Sequence, residues 1–183
     1  VFRRSSTTNF DLWVVPSSGG RAVPLLRTPI ANELDPDWSP DGKLIAYSAS
    51  LGGNTDLYSL RLQSGSAQRL TAGRAIDCCP TWSPTGRELA FTSDRDGTLQ
   101  IYVMDAEGSN VRRISFEGAW NDDAVFSPSG DLLAYTSRVN GRFQIRPISK
   151  AQLSRFFIIT YHQIRPPIRR CIPTPIRPKY GWI

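Results

Sequence analysis

The sequence predicts an all-β chain made of repeated four-stranded units. Three observations carry that reading. A turn motif recurs every 44 residues, apolar residues alternate with a period near two, and Gly or Pro punctuates the chain every 8–12 residues. No window of a dozen residues carries a helical stripe.

The turn motif comes first. Trp38-Ser39-Pro40-Asp41-Gly42 returns as Trp82-Ser83-Pro84-Thr85-Gly86 and as Phe126-Ser127-Pro128-Ser129-Gly130. Pro presets φ near −65° and Gly accepts the positive φ that closes a hairpin, so each motif joins a first strand to a second. The second strand, Leu44 to Ser48, carries Ala46 and Tyr47, which recur as Ala90 and Phe91 and as Ala134 and Tyr135. A loop centred on Gly53, Gly97 or Gly141 leads to a third strand, Asp56 to Leu60 in the first whole unit, marked by Leu57, Ile101 and Ile145. A turn at Ser64-Gly65 then leads to a fourth strand, Gln68 to Thr71, with Leu70 matching Ile114. Upstream, Asn9 to Trp13 matches Asn54 to Tyr58 with one residue of slippage.

A four-stranded repeat of this size is a β-propeller blade. A stacked β-solenoid or a sandwich is the competing architecture, but solenoid repeats are usually shorter and sandwiches do not repeat. Residues 1–30 read as the last two strands of one blade, 33–75 and 77–119 as whole blades, and 121–150 as about three strands. That gives near 13 strands, an incomplete ring of about three blades over residues 1–150, where closed rings hold four to eight. Residues 151–183 show no blade pattern and repeat Ile-Arg-Pro at 164–166 and 176–178. They read as a disordered tail or as sequence not native to the propeller. The chain opens on Val1 without a charged-then-apolar leader, and the phase of the repeat suggests a piece of a longer protein.

Charge divides along the same boundary. Residues 1–150 hold 16 Lys+Arg and 16 Asp+Glu, whereas 151–183 hold six basic residues and no acid, so the net +6 belongs to the tail. No apolar run exceeds four residues, which excludes a membrane-spanning helix. Three cysteines, two of them adjacent, do not make a disulfide framework.

Residues 1–150 resemble the TolB-type propeller repeat, also called the PD40 or WD40-like repeat. The residues that carry the resemblance are Trp38 to Gly42, Leu89 to Ser93, Ile101 to Asp105 and Arg69-Leu70-Thr71. The stretches Ala75 to Pro84 and Arg113 to Asp122 are also similar to TolB-type chains. The resemblance implies a six-bladed propeller behind a smaller α/β domain. It also implies a periplasmic place in the Tol–Pal envelope system, with a peptidoglycan-associated lipoprotein as partner. The chain departs from the pattern at Thr85 and Ser129, where Asp is usual, and at Arg146-Pro147-Ile148-Ser149, where Tyr-Val-Met-Asp is usual.

Catalytic patterns are missing from the blades. There is no Gly-x-Ser-x-Gly elbow and no phosphate-binding loop, and the only histidine, His162, lies in the tail. Adjacent Cys78 and Cys79 lack the gap that lets paired thiolates share zinc, and read as small residues beginning an inner strand. The tryptophans Trp13, Trp38, Trp82 and Trp120, with Tyr102, read as blade packing. No catalytic, metal or cofactor site is expected.

Acidic residues are the functional candidates. Glu33 and Asp35, Asp77, and Asn121, Asp122 and Asp123 precede the first strands of successive units. If that strand is innermost, they surround the channel mouth. The loops Asp94-Arg95-Asp96 and Arg138-Val139-Asn140 open on the same face. Two readings stand: solvated loop polarity, and a binding surface for a partner protein or an ion. No spacing matches a helix–loop–helix calcium site.

The leading expectation is a non-catalytic scaffold for protein–protein interaction. The alternative is an accessory propeller of a larger enzyme, a prolyl-oligopeptidase-like S9 peptidase or a kinase. The basic tail as a nucleic-acid or lipid tether ranks last, because its arginines alternate with Ile and Pro, and no nucleic acid is expected. Uncovered blade faces predict aggregation, or two copies joining head to tail to complete a six-bladed ring.

Overall fold

The computed structural model describes residues 1–5, 9–51 and 53–149, so the tail with His162 and Cys171 lies outside the described residues. Fourteen strands form four antiparallel sheets, each a meander in chain order. The first sheet holds β1 (Phe2–Ser5), β2 (Phe10–Val14) and β3 (Val23–Leu26). The second holds β4 (Asn32–Trp38), β5 (Leu44–Leu51), β6 (Asn54–Arg61) and β7 (Ser66–Arg69). The third holds β8 (Asp77–Trp82), β9 (Glu88–Ser93), β10 (Gln100–Asp105) and β11 (Arg112–Arg113). The fourth holds β12 (Trp120–Phe126), β13 (Leu132–Val139) and β14 (Arg142–Ser149). The fold is thus all-β, two whole propeller blades flanked by two incomplete ones, with no helix among the described residues and none able to cross a membrane.

The turn motif makes the same bonds three times. Gly42 N–H donates to Ser39 C=O at 2.8 Å, and Ser39 Oγ accepts from Leu44 N–H at 2.9 Å. Ser83 with Gly86 and Glu88, and Ser127 with Gly130 and Leu132, repeat both. Asp41 takes a bond from Ser39 Oγ; Thr85 and Ser129 substitute a hydroxyl at 3.1 and 3.2 Å, which explains why the turn survives without Asp. Consecutive turns also stack, since a Cβ on Gly130 would sit 3.4 Å from Pro84 Cδ.

Packing runs from blade to blade. Each blade offers a small aliphatic face to the large face of the next. Ala46, Leu57 and Leu70 pack on Trp82, Leu89, Phe91, Tyr102 and Met104; Ala90, Ile101 and Val103 pack on Phe126, Leu133, Tyr135 and Ile148. Leu12 enters the matching cluster with Tyr47 and Leu60. Within a blade, rings stack across strands, Tyr47 on Tyr58 at 5.6 Å and Phe91 on Tyr102 at 5.7 Å. Arg146 stands at that position in the fourth blade, and its Nη1 donates to Glu117 Oε2 at 2.8 Å. The departure from Tyr therefore keeps the strand and replaces a ring stack with an ion pair.

Several boundaries differ from expectation. Residues 1–30 give three strands, not two, because Phe2 to Ser5 pairs fully with Trp13 to Phe10. One apolar residue beside two arginines gives little alternation to read, and those arginines lie over rings, Arg3 over Phe10 and Arg4 over Trp13. The fourth strand of the second blade is Ser66–Arg69 rather than Gln68 to Thr71. Leu70 and Thr71 instead close on Leu57, whose N–H donates to Thr71 Oγ1 at 3.0 Å; Ser115 does the same for Ile101 at 2.8 Å. Four sheets per chain also mean that two copies carry eight, more than a six-bladed ring can seat.

Gly130→Ala should cost about 1–2 kcal/mol through its φ of +77° and its contact with Pro84, and more than Gly42→Ala, which has a similar φ of +69° but open space around it. Urea unfolding of the two variants checks the order.

Candidate functional site

The first strands β4, β8 and β12 touch one another in succession, so they line the common axis. Each is interrupted at the same place. Pairing breaks between Leu34 and Asp37, between Cys78 and Thr81, and between Asp122 and Val125. Asp35, Cys79 and Asp123, spaced 44 residues apart, take φ near +50°, the left-handed conformation that opens a bulge. Asp tolerates this region better than most side chains. The bulges re-aim three successive residues of the axial wall, and of the acids that the sequence singles out Asp35, Asp122 and Asp123 sit at them.

Electrostatics follows from that convergence. Burial holds the Asp35 carboxyl above its ordinary range, against a 2.9 Å bond from Ser48 Oγ and the charge of Arg3. Burial also raises Asp122, opposed by the bond from Thr92 Oγ1 at 2.8 Å and by Asp123 N–H, with Asp35 adding repulsion. Asp123 is pushed up to about 6, first by desolvation and then by Asp122 and Asp35. Cys78 is buried beside them, and burial plus four carboxylates push its thiol well up. The sulfurs of Cys78 and Cys79 and an Asp122 oxygen lie within 4.8 Å of one another. A metal there needs a thiolate, and the surroundings of Cys78 resist one.

The other predicted residues divide by burial. Glu33, Asp77 and Asn121 lie within the first strands rather than before them, buried at the blade junctions. Asp77 pairs with Arg95 at 3.0 Å, and Asn121 Nδ2 donates to Gln100 Oε1 at 2.7 Å. Asp94 accepts from Ile76 N–H at 2.7 Å and so fixes the loop beside β8. Asp96 is reached by Tyr102 OH at 2.5 Å and Arg113 at 3.4 Å. Arg138 is exposed, with its guanidinium 5.9 Å from the Phe143 ring centroid. An open cleft of about 740 Å³ between the second and third blades gathers Arg74, Asp77, Asp94 and Arg95. The bonding partners Ser48 and Thr92 were not singled out in the sequence; their shared spacing of 44 residues is the signal that finds them.

Comparison with known proteins accords with this geometry. Residues 27–164 match the family model PD40, TolB beta propeller domain. The chain belongs to the TolB beta-propeller family. The match reaches past residue 150. Among solved structures, this TolB-family chain is similar to TolB from Acinetobacter baumannii, with a TM-score of 0.79 and 27% identity over 88% of this chain and 40% of that one. It is also similar to a candidate TolB from Agrobacterium tumefaciens, with a TM-score of 0.73 and 26% identity over 82% of this chain and 56% of that one. Puromycin hydrolase shares the fold at a TM-score of 0.65 and 14% identity, over 86% of this chain and 25% of the enzyme. The family chain therefore spans about half or less of these proteins.

Asp123 supplies a pH test. Its folded value lies above the ordinary 3.8, so its contribution is complete below about pH 4 and is lost as pH rises through about 6. Asp123→Asn, which keeps a side chain suited to positive φ, should match wild type at pH 4 and exceed it at pH 8. Solvent contact limits the gain to under about 1 kcal/mol. Urea midpoints across that range check it.

Proposed function

We propose that this chain is part of a TolB-type propeller that acts as a non-catalytic docking scaffold for another protein in the periplasmic Tol–Pal system, with a peptidoglycan-associated lipoprotein as partner. The observation that carries the reading is the joint match in sequence and backbone to two TolB-type structures, at 27% and 26% identity. The likeness to puromycin hydrolase, at 14% identity, speaks for the fold alone. The accessory-propeller reading therefore ranks second. A scaffold also suits the chemistry of the described blades, which expose Asp96, Asp123 and Arg138 as polar groups on rigid strands and short loops.

Isothermal titration of the purified chain with a soluble peptidoglycan-associated lipoprotein tests the proposal. Saturable binding is expected, weakened about tenfold by joint Asp96→Ala and Arg138→Ala substitution, the loss of one or two anchoring contacts. A folded chain that shows no binding overturns the partner assignment. The same chain should hydrolyse neither peptides nor nucleoside triphosphates; turnover abolished by a single Ser or Asp substitution in the blades would revive the enzyme reading.

A further inference from the structure

Each blade junction buries one polar residue from the third strand of a blade against one from the first strand of the next. The pairs are Asp11 with Glu33, Asp56 with Asp77, and Gln100 with Asn121, successive versions of one structural position. The last pair carries no charge and is joined by amide chemistry, with Asn121 Oδ1 left without a hydrogen-bond partner. Gln100 Oε1 accepts from Asn121 Nδ2 and from Ser115 Oγ, both at 2.7 Å. In the middle pair each acid meets an arginine, Arg69 at 2.6 Å from Asp56 and Arg95 at 3.0 Å from Asp77, although Asp56 Oδ1 has no hydrogen-bond partner.

The first pair lacks both solutions. Asp11 and Glu33 are 2% and 1% exposed, yet Asp11 Oδ2 and Glu33 Oε2 have no hydrogen-bond partner. Thr28 Oγ1 donates to the other Glu33 oxygen, Oε1. One cation faces the pair: Arg27 Nε lies 3.4 Å from Asp11 Oδ2, on a side chain 60% exposed. Arg4 stands opposite Asp11 in register, but its guanidinium lies over Trp13 at 4.7 Å. From the second blade, Tyr47 faces Glu33 and is itself held neutral by burial and by that acid, with Tyr58 beyond it. The junction thus holds two acids and one half-exposed guanidinium. Two buried carboxylates with a single cation leave one charge unmatched, and a proton removes it without needing a cavity.

We propose that a proton held on Glu33, beside Asp11, latches the first blade onto the second, so that the junction tightens when the proton is held and loosens when Glu33 ionises. The proton gives the pair the donor that Asn121 supplies two junctions away. Burial, with Asp11 adding repulsion and Thr28 opposing, holds Glu33 above its ordinary value of 4.5. The latch is therefore complete below about that value and fails as pH rises through the folded one.

Hydrogen exchange of the full chain, corrected for intrinsic rates, tests this. Protection of β1–β3 relative to β8–β11 should fall by up to about tenfold for each pH unit between the ordinary 4.5 and the folded value of Glu33, and level off above it. Glu33→Gln and Asp11→Asn, which each install a fixed amide, should flatten that dependence. A wild-type profile retained in folded Glu33→Gln overturns the proposal. Carbonyl-region infrared difference spectra of isotope-labelled wild type decide the matter even if the variants fail to fold. A protonated carboxyl that persists above pH 4.5 supports the latch, and loss of every protonated carboxyl within the ordinary carboxylate range refutes it. Protection of β1–β3 restored at pH 8 by Ca²⁺ alone would assign the pair to a metal ion and refute it too.

Discussion

Everything in this chain depends on one blade covering the face of the next. A twisted four-stranded sheet has two faces and cannot bury either alone. Here the faces are unequal. Ala46, Leu57, Ala90 and Ile101 form the shallow side, and Trp82, Phe91, Tyr102, Phe126 and Tyr135 form the deep one. The Ser-Pro-x-Gly turns keep successive sheets in register by stacking Pro40 on Gly86 and Pro84 on Gly130. The constraint is visible where it ends. Ala134 and Ile145, the shallow-side counterparts in the fourth blade, are only half-buried, and Val125, Leu132 and Phe143 beside them are exposed. Among the described residues no further blade covers that face.

Because the junction repeats, each position in it can be compared across three contexts, and the backbone holds while the chemistry changes. Positions 35, 79 and 123 carry Asp, Cys and Asp in the same left-handed bulge. Positions 33, 77 and 121 carry Glu, Asp and Asn at the same buried seam. The bulge is thus a property of strand pairing at the crowded axis, not of the side chain that occupies it. What the side chain changes is charge. The seam moves from an acid pair with one arginine, Arg27 at Asp11, through arginine-paired acids to an amide pair along the chain, although the apolar contacts of the three junctions are alike.

The repeat made most of the fold legible before any coordinates. Trp38, Trp82 and Phe126 locate the ends of the axial strands, and the glycines at 42, 86 and 130 locate the turns, because φ and burial there leave few alternatives. The strand Phe2–Ser5 was not legible, since it is held by pairing with β2 and by arginine–ring contacts rather than by its own alternation. The same limit applies to the acids. Spacing showed that Glu33, Asp77 and Asn121 are equivalent, but a buried seam and a solvent-facing mouth both call for polar residues ahead of Trp-Ser-Pro. Only the side-chain partners, Arg95 for Asp77 and Gln100 for Asn121, tell them apart.

Those partners also show how a segment of zero net charge arranges its charges. Residues 1–150 balance acids against bases, yet the two signs are placed at different radii. Asp35, Asp122 and Asp123 lie on the axial strands, whereas Arg69, Arg112 and Arg113 lie on the outermost strands β7 and β11. Arg69 and Arg95 reach inward to Asp56 and Asp77 and neutralise them, so those acids add little to the field outside. Asp35 accepts from Ser48 Oγ at 2.9 Å and feels the charge of Arg3, while Asp123 stands exposed beside Asp122. The guanidinium groups of the rim are themselves engaged, Arg69 with Asp56, Arg112 with Glu88 and Arg113 with Asp96. A balanced net charge therefore conceals ion pairs that tie the outer strands of a blade to its inner ones.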